Sequence, residues 1–319
     1  MKVLIKLVLL LLLSSSLFSA TPQKPTAKYK ADGAIIDLVI QNGKIYASTK
    51  VSIVDIFDIK TKKIIKKITV PNITDFMGDE ITAKIYSVDV LNGEILILAQ
   101  AEHGYRSVYI YKNNKLTPVI TTKDKLYIAK AKFIDENTLV LGLLSNDIIS
   151  YNLKTKKQNW TIQPSGSKFS NLVLNENKTE VVICDESGDL HILDTKSGKV
   201  IKTLSGENLD NVFQADYKNN IIITAGQDRR AVVYDLKSGS AYYKTTNFLI
   251  YSVGLSPSAK IAAYASDENN NVTLFNTHTK SQIGLYGGNK MTLTNIVFLN
   301  EKEFFVGSDD KTINFYKIK

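Results

Sequence analysis

The sequence predicts an all-β chain: a seven-bladed β-propeller of four-stranded antiparallel blades, its ring closed by an N-terminal strand. Three observations predict it. One unit recurs seven times at a nearly constant period, short β-branched runs alternate with turn residues along the whole chain, and the last unit stops one strand short.

Taken in order, residues 1–20 read as a signal peptide. Lys2 and Lys6 give a charged start, Leu7 to Leu13 an apolar run, and Ser14, Ser15, Ser16, Ser19 and Ala20 a small-residue exit. Cleavage after Ala20 removes two lysines and lowers the formal charge from +9 to +7. Residues 21–319 then form a single propeller domain, expected to be soluble, monomeric and periplasmic. Residues 26–31 (TAKYKA) precede the first full blade, which begins near Ala34. They are the candidate for the missing outer strand, pairing that would hide the ring's open edges.

The repeated unit is a β-rich run, an aromatic or leucine, a polar residue and usually a lysine-rich turn. It reads VDIFDIKTKK from Val54, VYIYKNNK from Val108, IISYNLKTKK from Ile148, LHILDTKSGK from Leu190, AVVYDLKSGS from Ala231, VTLFNTHTKS from Val272 and INFYKIK from Ile313. Phe57, Tyr111, Tyr151, Leu193, Tyr234, Phe275 and Tyr316 mark the register at separations of 54, 40, 42, 41, 41 and 41 residues. A four-stranded blade takes roughly 40 to 45 residues. The long first gap is an insertion, Pro71 to Thr82, between blades one and two. Asn42-Gly43 and Asn92-Gly93 lie between apolar runs, where a tight hairpin needs positive φ at both positions. Residues 210 to 245 show four strands, DNVFQADY, IIITAG, AVVYDL and SAYYKT. Their turns are Lys218 to Asn220, Gln227 to Arg230 and Lys237 to Gly239.

GSDDKTINFY (Gly307 to Tyr316), AGQDRRAVVYDLKSG (Ala225 to Gly239) and the turn SPSAK (Ser256 to Lys260) resemble the WD-repeat propellers, and the likeness runs through the mature chain. The resemblance implies structural aspartates in the turn before the third strand, Asp228 and Asp309 or Asp310. Trp160 lies outside the signature positions and the family's Gly-His pair is missing from every blade. An export signal, degenerate repeats and a lysine-rich, arginine-poor composition also resemble NapL, the accessory-protein family of periplasmic nitrate reductase. That likeness implies a cofactor-free accessory role.

Chemistry is sparse. Cys184 is the only cysteine, which forbids an intramolecular disulfide, and it sits in an apolar run that favours a buried thiol. His103, His191 and His278 are the only histidines, too few for a copper-cluster or haem site, and only His103 is placed for solvent. Asp267, Glu268, Asn269, Asn270 and Asn271 lack the spacing of a calcium loop and read as a solvated turn. There is neither a G-x-S-x-G elbow nor a phosphate-cradling glycine loop. The expectation is no enzyme, no metal and no cofactor.

Binding surfaces remain. One face collects the turns between second and third strands: Glu102, His103, Gly104, Tyr105 and Arg106 in blade two, and Gln227, Asp228, Arg229 and Arg230 in blade five. Arg106, Arg229 and Arg230 are the chain's only arginines, and arginine and tyrosine favour interface centres. The opposite face gathers Lys60, Lys62, Lys63, Lys112, Lys115, Lys154, Lys156, Lys157, Lys196, Lys199 and Lys280. This basic rim is tempered by Glu94, Asp135, Glu136, Glu176, Glu301 and Glu303. Such a rim suits an acidic partner or anionic lipid, and no aromatic-interleaved basic motif marks a nucleic-acid site. The reading is a periplasmic scaffold that holds another exported protein of a redox system, nitrate reductase components or their maturation factors. A small-ligand or carbohydrate-binding propeller is the alternative, and a propeller enzyme a third.

Overall fold

The computed structural model describes residues 21–319; the expected signal peptide, residues 1–20, lies outside them. Seven four-stranded antiparallel sheets follow one another around a ring. Blade one is Ile35–Gln41, Lys44–Thr49, Ile53–Asp58 and Ile64–Thr69. Blade two is Ile85–Leu91, Glu94–Gln100, Arg106–Lys112 and Lys115–Ile120. Blade three is Ile128–Asp135, Thr138–Leu143, Ile148–Asn152 and Lys157–Ile162. Blade four is Phe169–Leu174, Glu180–Asp185, Leu190–Asp194 and Val200–Leu204. Blade five is Val212–Lys218, Ile221–Gly226, Arg230–Asp235 and Ser240–Thr245. Blade six is Val253–Leu255, Ile261–Ala265, Val272–Asn276 and Gln282–Tyr286. Blade seven takes Leu293–Asn300, Glu303–Ser308 and Thr312–Lys317 from the end of the chain and Ala27–Lys30 from its beginning.

The closing strand pairs Ala27 with Phe315 and Lys30 with Thr312, antiparallel. Tyr29 is buried against Phe57 and Phe305, edge to face, and its hydroxyl donates to the Ile59 carbonyl at 2.9 Å. The segment before it reaches further than predicted. Gln23 forms a parallel bridge to Tyr286 in blade six, its N–H donating to Leu285 O and its carbonyl accepting from Gly287 N. Residues 23–30 therefore strap blades six, seven and one together.

Alternation explains the core. Second and third strands are buried on both faces, because each blade is covered by its neighbours, while outer strands show a wet edge. Apolar clusters sit at the seams: Leu96, Leu98 and Val108 of blade two meet Phe133, Leu139 and Leu141 of blade three. At the closing seam, Phe305 and Ile313 of blade seven meet Ile35, Ile45 and Phe57 of blade one.

The turns follow the predicted chemistry. Asn42-Gly43 and Asn92-Gly93 take positive φ at both residues, and Asn113-Asn114 and Asn219-Asn220 do the same without glycine. Between third and fourth strands the polar residue after the aromatic or leucine is the cap. Asp58, Asn152, Asp194, Asp235 and Asn276 each accept backbone N–H groups two or three residues on. The residue completing that turn is left-handed: Lys62, Lys156, Gly198, Gly239 or Lys280.

Candidate functional site

The channel through the ring is built by one repeated irregularity. In six blades the first strand slips register, between Ile35 and Asp37, Ile85 and Ser87, Ile128 and Lys130, Phe169 and Asn171, Val212 and Gln214, and Leu293 and Asn295. The bulge turns the residue after it toward the axis, and in every case that residue is polar. Ser252 takes the place in blade six.

These side chains tie the blades together around the axis, most to a neighbour and Gln214 also past blade six to blade seven. Val88 N–H donates to Asp37 Oδ2, Ser87 Oγ to Ala131 O, Lys130 Nζ to Asn171 Oδ1 and Asn171 Nδ2 to Phe213 O. Ser252 Oγ and Val253 N–H donate to Gln214 Oε1, Gln214 Nε2 donates to Thr294 O, and Asn295 Nδ2 donates to Asp37 Oδ1. Lys132 of blade three reaches past blade two to Asp37 of blade one at 3.3 Å and also donates to Val88 O.

Electrostatics separates the two channel lysines. Burial pushes the Asp37 carboxyl up, but the Lys132 and Lys130 ammoniums and the Val88 N–H outweigh it and leave the pKa below the ordinary range. Burial also pushes Lys132 down, and Asp37 and Asp89 more than reverse this. For Lys130 burial wins and its pKa falls. Toward the lysine-rich face the channel widens to about 530 Å³, lined by Gln41, Asp89, Lys130, Asn175, Lys178 and Asp216 among others. Toward the other face a mouth of about 520 Å³ is lined by Ile36, Tyr86, Tyr251, Thr292, Thr294 and the Lys50–Asp309 ion pair. Aromatics and amides thus occupy opposite ends of the channel.

The predicted loop residues do share a face, in two separate clusters on blades two and five. Glu102 and His103 are exposed, and Tyr105 packs on Tyr127 with ring centres 4.9 Å apart. Arg106 lies over the Tyr86 ring at 4.2 Å and donates to the Gly104 and Tyr105 carbonyls. In blade five, Arg230 lies over Tyr243 at 4.2 Å and donates to Glu207 O. Asp228 accepts from Arg230 N–H and Leu209 N–H, bracing the turn. Two of the three arginine forks are thus held locally, and the exposed pair in blade five is Gln227 and left-handed Arg229. Asp310 repeats the Asp228 geometry by accepting from Thr312 N–H, whereas Asp309 reaches across to Lys50 of blade one.

The remaining titratable candidates have structural neighbours. Cys184 is fully buried and its thiol is pushed up by burial. His191 is buried with Nε2 3.8 Å from Asp185, itself accepting from Asn146, Ser165 and Ser187. Asp267 accepts from Asn269 N–H, Asn271 N–H and the Asn271 amide, closing its own turn. No group of three or more metal-ligating side chains occurs among the described residues.

The two faces differ in character. Exposed large apolar side chains gather in the turns between second and third strands and the connections between blades: Phe76, Met77, Tyr127, Leu144, Leu209, Phe248 and Met291. The lysines predicted for the other face are all exposed. Several of its carboxylates are occupied: Glu136 accepts from Asn92, Glu176 from Asn219 N–H and Glu301 from Ser258, each across a seam. Sequence reasoning missed the channel ring, although a polar third residue in six of the seven first strands, with Ser252 just ahead of the blade-six strand, was there to be aligned.

No protein-family model and no curated protein matches the chain. Among solved structures it is similar to a chain of the crystal structure of the mitotic checkpoint complex, at 13% identity and a TM-score of 0.74, covering 95% of this chain and 94% of that one. The likeness is one of fold, a seven-bladed β-propeller.

Proposed function

We propose that this chain is a non-catalytic platform, delivered to the periplasm, that holds another exported protein through the face carrying its exposed aromatic and aliphatic side chains. What supports this is the segregation of surface chemistry: seven large apolar side chains stand exposed in the loops of that face and none in the turns of the other, among the described residues. Within this reading the partner belongs to a redox enzyme system, nitrate reductase components or their maturation factors, as the NapL likeness implies.

Affinity capture of the tagged protein from periplasmic extract, grown with and without nitrate, tests it. Recovery of redox-enzyme subunits, lost when Phe248 and Met291 become Ser and kept when Lys154 and Lys156 become Ala, is the expected result. Recovery of a sugar or metal with no protein chain overturns it. The aromatic mouth at Tyr86 and Tyr251 favours one second reading, a small ligand stacked at the channel entrance, which equilibrium dialysis against defined oligosaccharides would reveal.

A further inference from the structure

We propose that the inserted arm between blades one and two forms, with the blade-two turn, a docking groove for a basic segment of the partner that also carries an apolar side chain. The proposal rests on the platform reading and names the chemistry of what binds.

The arm departs from the sevenfold repeat. Ile73–Thr74 pairs with Glu80–Ile81 to make a short hairpin, and Asp75 Oδ1 accepts from Met77 N–H at 2.8 Å and Asp79 N–H at 3.0 Å, fixing the tip. Gly78 completes the turn at φ +93. The tip holds Phe76 at 96% exposure and Met77 at 71%, the two most exposed large apolar side chains of the described residues. A turn fixed by its own hydrogen bonds presents these side chains with little left to order on binding. Behind the tip lies a groove of about 710 Å³ between Ile73, Phe76 and Ile81 of the arm and Gln100, Glu102 and His103 of blade two.

Charge decides the occupant. The chain carries a formal +9, yet Asp75 and Glu102 line this groove and Asp79 and Glu80 stand exposed on the arm beside it. None of them takes part in an ion pair among the described residues. Two carboxylates in the groove and two more on the arm that carries Phe76 and Met77 attract lysine or arginine flanking a hydrophobic residue, and repel an anionic lipid surface or an acidic peptide. The hairpin is two residues deep on each side, so a bound segment can also pair with its open backbone edge.

A random peptide library displayed on phage, selected on the purified protein, tests the assignment. The expected winners are net basic, contain an aromatic or long aliphatic residue, and weaken as salt rises. They lose about ten-fold or more in affinity for both the Phe76→Ser/Met77→Ser and the Asp79→Asn/Glu80→Gln variants. Acidic or uncharged winners, or winners indifferent to both variants, overturn it. Indifferent winners that are lost when Phe248 and Met291 become Ser sink the arm and leave the platform standing; no enrichment at all sinks both. Co-sedimentation with anionic phosphatidylglycerol vesicles that depends on Phe76 and Met77 would also overturn it. Both variants alter exposed side chains, and unchanged circular dichroism and melting would show them folded.

Discussion

Lys130 and Lys132 stand two residues apart on one strand and face the same channel, with opposite electrostatic balances. Lys132 compensates Asp37, which burial would otherwise drive toward its neutral form. Replacing Lys132 with Met leaves that buried carboxylate without its ion-pair partner, and should cost about 3 kcal/mol. Lys130 has Asn171 Oδ1 as its acceptor and, among the described residues, no carboxylate within ion-pair reach. Lys130→Met should therefore change stability by no more than about 1 kcal/mol in either direction. Urea unfolding of the two variants checks both, and equal losses would refute the distinction. Neither role was legible in the sequence, because a lysine in a β-rich run looks the same whether it faces solvent or an axis. The arginines show the same limit: composition singled out Arg106 and Arg230, and only three-dimensional placement reveals the tyrosine beneath each.

At the scale of single elements, the capping turns and the closing strand carry the clearest expectations. The Asp58 carboxyl is held below its ordinary range by the Thr61 N–H, and Asp194 and Asp235 by the Ser197 and Ser238 side chains and N–H groups. A depressed folded pKa contributes stability that is complete above the unfolded value, near 4, and is lost as pH falls through the folded one. The urea midpoint should therefore fall as the protein is acidified below about pH 4. Asparagine already caps this turn at Asn152 and Asn276, so changing all three aspartates to Asn should flatten the acid limb with little effect at neutral pH. An acid limb as steep as in the unsubstituted protein would refute this role. Turns and strands were readable because backbone rules act locally: a positive-φ pair needs Asn or Gly, and alternation marks the buried face. The strap through Gln23 was not, since a parallel bridge to Tyr286 depends on where blade six ends in space.

For the molecule as a whole, the period made the ring countable before any coordinate existed, whereas the chemistry of its faces emerged only once loops far apart in sequence were brought together. The closing strand is the test of whether the ring acts as one unit. Tyr29→Ala removes a ring buried against Phe57 and Phe305 and should cost about 3 to 5 kcal/mol. Trp160, the sole tryptophan, lies at the distant seam of blades three and four, its Nε1 donating to Thr195 O at 3.0 Å. If the ring unfolds cooperatively, Trp160 fluorescence and far-ultraviolet dichroism should shift to the same lower midpoint in that variant. Separate midpoints would mean blades that melt independently.

The pairing of Ala27–Lys30 with Thr312–Lys317 also sets an order in time. A ribosome emits the first partner long before the second, and a chain threaded through a membrane delivers them in the same sequence. Until the final residues arrive, blade one lacks Phe305 and Ile313 against its Ile35 and Phe57 flank, and the early strand waits with an unpaired edge. We expect ring closure to come late in folding, its cost set by the loop entropy of nearly the whole chain. During that wait the unfinished molecule is most exposed to aggregation, and holding the Ala27–Lys30 strand is where an assisting factor would act to greatest effect.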